Sequence, residues 1–148
     1  MLVRLIAATV AGGVVNFLFG FLIYGLLLGP MMEPNLHKYT GEAGALIKEE
    51  PSIVPLSLAC LTISFLVAFI FERWASIRTL ATGAMGGAII FFLTTLYFGF
   101  SFFAFMRMYK NYNPLLMDLA GSIVLGALVG GVIGLVLGVM NKGGQSGA

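Results

Sequence analysis

Charged side chains are scarce in this sequence of 148 residues, which has eight Lys and Arg and six Asp and Glu. Its hydrophobic fraction of 59% exceeds the roughly 45–50% that is typical of soluble globular proteins. The net charge of +2 is spread over several short segments, so there is no basic cluster that could bind nucleic acid. The composition therefore excludes a soluble domain and a nucleic-acid-binding module.

Cysteine and histidine are almost absent, with Cys60 and His37 the only representatives. A single cysteine excludes an intrachain disulfide and any zinc or iron–sulfur site built from cysteines. His37 lies in a polar stretch, whereas Cys60 and Asp118 lie in apolar segments, so no Cys-His or Ser-His-Asp triad can be assembled. Met31 and Met32 near His37 match no metal-binding spacing. We predict no enzymatic activity, no cofactor and no metal site.

Long apolar segments take up most of the chain. Four segments carry no charge and contain 28, 21, 28 and 23 residues: Leu5–Met32, Pro51–Phe71, Thr79–Met106 and Leu119–Asn141. Each reaches the roughly 20 residues with which a helix crosses a ~30 Å hydrocarbon core. Backbone polar groups in lipid must be satisfied internally, and four strands are too few for a closed barrel, so the segments are predicted to be helices.

The predicted fold class is an all-α membrane protein with four transmembrane helices in an antiparallel bundle, forming one domain over residues 1–148. The predicted helices span about residues 2–28, 52–73, 79–106 and 114–140. Gly29 and Pro30 are predicted to stop the first helix, because proline cannot continue it. The second and third helices are joined by a tight turn, so we expect them to be antiparallel neighbours.

The stretch from Gly29 to Pro51 is predicted to be the only long loop, between the first and second helices. It is acidic, because it contains four of the six acids: Glu33, Glu42, Glu49 and Glu50. Basic residues are divided equally between the two ends of the spans, so the positive-inside rule does not decide the orientation. The acids in this loop favour both termini in the cytoplasm.

Small residues recur at every fourth position of the fourth helix, after Asp118: Ser122, Gly126, Gly130, Gly134 and Gly138. Such a small-xxx-small stripe lets another helix approach until the two backbones touch. The first helix offers a partner stripe with Gly12, Asn16 and Gly20, and the third helix adds Gly83 and Gly87. These residues are predicted to pack the helices, and a glycine-lined conduit is the alternative.

Two polar residues within the spans are candidates for an ion or proton site. Asp118 is the only acid inside a predicted span apart from Glu72 at the end of the second, and Asn16 lies near the middle of the first helix. Intramembrane acids by default indicate ion or proton chemistry. Asp118, however, lies about one turn into its helix, where it can complement the helix dipole and pair with Arg107 or Lys110. Asn16 can instead form a hydrogen bond to a neighbouring helix and so stabilise the helix packing.

Three segments carry a resemblance to a known group: Asn16–Leu28, Gly86–Phe92 and Asp118–Gly138. They resemble small bacterial four-helix membrane proteins of a domain-of-unknown-function family. The resemblance implies a multi-pass protein of the bacterial inner (cytoplasmic) membrane. It implies no substrate, cofactor or catalytic residue.

The sequence as a whole favours a non-enzymatic integral membrane protein that acts by helix–helix association. The expected partners are the lipid bilayer and either further copies of the chain or other membrane-protein subunits, so that the chain forms a homo-oligomer or serves as an accessory subunit of a larger complex. The alternative is a small ion- or proton-coupled transporter or channel in which Asp118 and Asn16 line the path.

Overall fold

A computed structural model describes residues 1–38, 40, 41 and 52–145, with side chains as far as Asn141. Over these residues the chain is helical and contains no strand. Four helices are long and apolar enough to cross a membrane. They are α1 (Leu2–Asn35), α2 (Ile53–Ala75), α3 (Leu80–Phe105) and α4 (Asn113–Gln145). The predicted all-α architecture with four helices long and apolar enough to span a membrane is confirmed.

The first helix continues past the point where the sequence predicts its end. Instead of stopping at Leu28, it passes through Pro30 into one α-helical turn and a short 3₁₀ turn that ends at Asn35. Residues Phe21–Leu28 form π-helical turns, and the Gly29 N–H donates to the Tyr24 carbonyl five residues earlier. Wider turns give clearance to the proline ring, which would otherwise clash with the carbonyl four residues before it. The proline therefore widens the helix and does not end it.

The second and third helices lie within two residues of their predicted bounds, whereas α4 begins one residue before its predicted start and ends at Gln145, five residues beyond its predicted end. Thr79 caps α3, because its hydroxyl accepts a hydrogen bond from the Thr82 N–H at 3.2 Å. At the start of α4 the Asn111 side chain accepts from the Asn113 N–H at 3.1 Å. This end of α4 also lies next to the end of α1, because the Lys110 N–H donates to the Asn35 carbonyl at 2.9 Å. The bulk of the predicted acidic loop, including Glu42, Glu49 and Glu50, lies outside the described residues.

Helix α4 is the centre of the packing. Half of its apolar window is buried inside the chain, against 22% for α1 and α2 and 11% for α3. It packs against α3 on one side and α1 on another, and α1 in turn packs against α2. The sequence predicts that the second and third helices are neighbours, but they make only minor contact, for example where the Phe71 ring reaches Gly86. A short connection brings two helix ends together, but the glycine face of α4 attracts α3 more strongly.

A buried, mainly apolar layer fills the space between α1, α2 and α4 toward the end that carries the N-terminus, and the Ser64 side chain is enclosed in it. Its apolar members have no exposed surface: Ala8, Val67, Ala68, Phe71, Val129, Ile133 and Leu137. The layer belongs to one continuous core that also includes Leu5, Phe91 and Leu125. It separates the polar residues at one end of the helices from those at the other.

Candidate functional sites within the membrane span

The glycine stripe of α4 lies against α3 at backbone distance. A Cβ placed on Gly130 would lie 2.6 Å from the Gly87 Cα, and one placed on Gly134 would lie 3.1 Å from the Gly83 Cα. Gly126 is equally restricted, because a Cβ there would lie 2.5 Å from the Gly87 carbonyl oxygen. Neither helix therefore has room for a side chain along this line, as in small-xxx-small crossings.

Further along the same stripe the structure places Gly138 against the Arg78 backbone and Ser122 inside the core. The Ser122 hydroxyl donates to the Leu119 carbonyl at 2.9 Å within its own helix. The stripe of α1 does not join this contact. A Cβ on Gly12 would lie 2.6 Å from the Ile133 side chain, and one on Gly20 would lie 3.8 Å from the Leu125 side chain. Helix α1 thus packs on side chains of α4 beside the glycine line, and α3 occupies the line itself.

Asp118 lies next to Tyr24 of α1. The Tyr24 hydroxyl donates to the Asp118 backbone carbonyl at 3.2 Å and also interacts with the carboxylate. The expected salt bridge to Arg107 or Lys110 is not formed among the described residues, and the Lys110 ammonium donates instead to the Pro34 carbonyl at 2.9 Å. Tyr24 is the polar neighbour that the sequence did not indicate, because it is separated from Asp118 by 94 residues.

Tyr109 lies outside the spans, in the connection between α3 and α4. Its ring stacks on Phe103, with ring centroids 4.8 Å apart. Burial raises the pKa of Tyr109, and the negative charge of Asp118 raises it further. The phenol therefore stays protonated at neutral pH.

Asn16 is buried, with 6% of its surface exposed, and its side chain makes no hydrogen bond to the residues that the structure describes. It lines a groove of about 470 Å³ between α1 and α2, together with Tyr24 and Cys60. Tyr24 and Leu125 separate this groove from a smaller pocket of about 220 Å³ that contains Thr94, Thr95 and Ser122. The structure places Asn16 in the groove that Tyr24 also lines and Asp118 beside the Tyr24 hydroxyl, and no hydrogen bond joins Asn16 to Asp118 in the described part of the chain.

An ion cluster at the other end of the helices was not anticipated from the sequence. The Glu72 side chain is 4% exposed, and its two oxygens lie 3.3 Å from Arg4 and 2.7 Å from Arg78. Arg4 also donates to the Asn141 side chain at 2.6 Å. The cluster thereby connects the start of α1, the end of α2, the α2–α3 turn and α4. The sequence signal for this cluster is weak: no acid other than Glu72 lies near Arg4 or Arg78 in the sequence, which leaves Glu72 as a candidate partner.

Ser64 is a second buried polar residue without a partner, because its hydroxyl makes no hydrogen bond within the described residues. It lies close to Gly12, where α1 and α2 approach each other. His37 is exposed, and no group of three or more His, Cys, Asp or Glu side chains that could hold a metal ion occurs in the described part of the chain.

The four apolar helices and the polar groups enclosed between them define a helical membrane protein. Comparison with protein-family models, with curated proteins and with solved structures finds no match. The resemblance to small bacterial four-helix proteins therefore stays a prediction from the residues that carry it.

Proposed function

We propose that this chain is a non-enzymatic integral membrane protein that acts by helix–helix association, as a small homo-oligomer or as an accessory subunit of a larger membrane complex. We also propose that residues 1–148 form one antiparallel four-helix domain of a bacterial inner membrane, with both termini in the cytoplasm. The resemblance of its segments to small bacterial four-helix proteins supports this assignment.

The observation that carries the proposal is the one-sided packing of α3. Only 11% of the apolar window of this helix is buried inside the chain. The helix that it approaches to backbone distance is α4. Because α3 occupies the glycine stripe of α4, the stripe is not available to another chain. The outer face of α3 remains, with Tyr97 and Phe98 exposed and their rings in an edge-on contact at 5.3 Å. Ring packing of this kind is a common source of contact area between partners.

Purification in a mild detergent followed by native mass spectrometry tests this proposal. We expect the chain in complexes with copies of itself or with other membrane proteins. Phe98→Ala should reduce the complexed fraction, because it removes part of the α3 face. Phe65→Ala is the matched control, since Phe65 on α2 is 48% exposed and Phe98 is 51% exposed. A wild-type protein that is monomeric in detergent and in nanodiscs contradicts the proposal.

Ion or proton transport is the second candidate function. It is favoured by the position of Tyr24 between the Asn16 groove and the pocket of Thr94, Thr95 and Ser122, close to Asp118. It is disfavoured by the buried layer that contains Val67 and Ile133, because ions need polar or hydrated groups along their path and the side chains of this layer are apolar apart from Ser64. This layer lies between Asp118 and the Glu72 cluster.

Flux measurements in proteoliposomes distinguish the two functions. Transport through Asp118 predicts a wild-type proton or cation flux that Asp118→Asn abolishes, because the change removes the carboxylate and keeps its shape. The association proposal predicts no flux for either protein and unchanged complexes for the variant, since an amide still accepts hydrogen bonds at a helix start.

A further inference from the structure

The groove between α1 and α2 has the dimensions of a small-molecule site. Its volume of about 470 Å³ lies within the range of roughly 300–1,000 Å³ that is usual for ligand pockets. Its wall is apolar except for Asn16, Tyr24 and Cys60. A few polar groups in an apolar wall are typical of pockets that orient a ligand.

A second groove of about 360 Å³ extends this site along the same seam. It contains Val10, Gly13 and Ser57, and both grooves share Phe17. The two together follow α1 from Val10 to Gly25, which is about 22 Å at 1.5 Å per residue. Asn16 lies near the middle of this length, so a chain-like molecule in the seam would present its central part to the amide.

The Asn16 amide needs a partner that the described residues do not provide. The residue is more than nine-tenths buried, and its side chain faces the groove without a hydrogen bond. A polar group at this depth without a hydrogen-bond partner is unfavourable. A bound molecule with a hydrogen-bonding oxygen would supply this partner.

The depth of Asn16 restricts the kind of molecule. Arg4 belongs to the ion cluster at the helix ends, and Asn16 lies twelve residues further along α1, about 18 Å away. That places the amide near the middle of a ~30 Å hydrocarbon core. The ester and headgroup oxygens of phospholipids lie at the edges of this core, so an ordinary lipid offers Asn16 only its acyl tail.

The groove also disfavours charged molecules, and it favours a molecule that is narrower than a helix. None of its lining residues carries a charge, and an unpaired charge at this depth is costly. Because Asn16 is 6% exposed, it lies at the bottom of the groove, where the backbone of a partner helix cannot reach it.

We propose that the α1–α2 groove binds an uncharged lipophilic molecule whose mid-chain oxygen group, a ketone or an alcohol, hydrogen-bonds the Asn16 amide. This ligand site is additional to the association surface on α3. Its apolar chain fills the seam on both sides of the amide and replaces lipid tails there.

Cys60 provides a built-in reporter, because it lines the groove and is the only cysteine of the chain. The full chain in phosphatidylcholine nanodiscs is treated with N-ethylmaleimide, and the rate of Cys60 alkylation is followed by mass spectrometry. Because alkylation needs the thiolate, which forms slowly at this depth, the probe retained by the protein is also measured by native mass spectrometry, and both readouts are compared for each probe. Three probes of equal chain length are added in turn: 10-nonadecanone, 10-nonadecanol and nonadecane. The first two carry a central oxygen, and the third has none.

We expect the ketone or the alcohol to slow the alkylation at concentrations at which nonadecane has no effect. The oxygen probe that protects better identifies the oxygen group. Asn16→Leu should weaken the apparent affinity of that probe by about three- to tenfold, as expected for one lost hydrogen bond. Thr9→Val is the matched control, because the Thr9 hydroxyl bonds the Leu5 carbonyl within α1 and does not line the groove.

Three outcomes overturn the proposal. Equal protection by all three probes shows unspecific partitioning, and this comparison holds even if the Asn16 variant does not fold. Absence of protection by any probe shows that the groove does not bind them. A Cys60 that is unreactive without a probe and becomes reactive when complexes dissociate shows that another protein chain covers the groove.

Discussion

Gly130 and Gly131 are adjacent glycines on α4 with different surroundings. A Cβ on Gly130 would lie 2.6 Å from the Gly87 Cα, whereas the nearest atom to a Cβ on Gly131 would be the Leu80 carbonyl oxygen at 3.5 Å. The first distance is shorter than van der Waals contact, and the second is an ordinary contact. The two positions therefore test the α3–α4 contact at the scale of a single methyl group.

Gly130→Ala should lower the free energy of unfolding by about 1–3 kcal/mol, because backbone atoms cannot move aside as a flexible side chain can. Gly131→Ala should change it by less than about 0.5 kcal/mol, or raise it slightly through the better helix propensity of alanine. Unfolding by sodium dodecyl sulfate in mixed micelles measures both values. Equal losses for the two variants would show that the close approach of α3 and α4 is absent.

The sequence indicates which residues of α4 pack but not their partner. A spacing of four places Gly126, Gly130 and Gly134 on one face, and this follows from helix geometry alone. Both the first and the third helix offer small residues, so periodicity could not choose between Gly12 and Gly87 as the partner. That choice depends on the shapes of the neighbouring side chains, such as Ile133, which fills the space in front of Gly12.

At the scale of the elements, the ion cluster connects the ends of the helices. Glu72 contacts Arg4 of α1 and Arg78 of the α2–α3 turn, and its side chain is 4% exposed. Removal of its charge leaves two arginines that are about a quarter exposed facing each other without compensation. Breaking a buried pair costs about 3–5 kcal/mol, and the partial exposure of the arginines reduces this cost.

Glu72→Gln should therefore lower the free energy of unfolding by about 2 kcal/mol. The matched control is Glu33→Gln, because Glu33 pairs with Lys38 at 3.5 Å while both side chains are more than two-thirds exposed. An exposed pair of this kind contributes about 0–1 kcal/mol. Detergent unfolding measures the free energy of unfolding of both variants. An equal decrease for Glu33→Gln and Glu72→Gln would show that the buried cluster stabilises the fold no more than an exposed ion pair does.

The extent of α1 shows how local rules can mislead at this scale. Pro30 is a strong signal for a helix end, yet the π-helical turns of Phe21–Leu28 absorb it. The hydrogen bond from Gly29 to Tyr24 that widens the helix leaves no mark in the sequence. Helix existence depends on long apolar segments and could be predicted, whereas this boundary depends on backbone geometry.

At the scale of the whole molecule, the helix ends are expected to lie on two sides of the membrane. Trp74 at the end of α2 is 74% exposed, and Tyr112 before α4 is 61% exposed. They lie at opposite ends of the spans, since α3 crosses the distance between them. Labelling at these two positions therefore shows which helix ends lie on which side of the membrane.

Trp74→Cys and Tyr112→Cys, each in a Cys60→Ala background, should react with a membrane-impermeant maleimide from opposite sides. In intact cells we expect labelling at Tyr112→Cys and none at Trp74→Cys, because the termini are proposed to be cytoplasmic. Labelling of both positions by the impermeant reagent would contradict four spanning helices. Labelling of Trp74→Cys alone would keep the helices and reverse the orientation.

The order of the helices in space is the part of the fold that the sequence left open. Charge-free length established the number of spans, because it reflects a simple transfer free energy. The separation of α2 and α3 depends on the competition between Phe71 near Gly86 and the closer backbone contact of α3 with α4. Such differences arise from side-chain packing and are not visible in composition or periodicity.

Photo-crosslinking in the native membrane tests helix–helix association most directly. The photoreactive residue p-benzoylphenylalanine replaces Phe98 on α3 in one protein and Phe65 on α2 in another, since both positions are about half exposed. The proposed function predicts protein adducts at Phe98, with the mass of a second copy or of another subunit, and mainly lipid adducts at Phe65. Lipid adducts alone at both positions would contradict it.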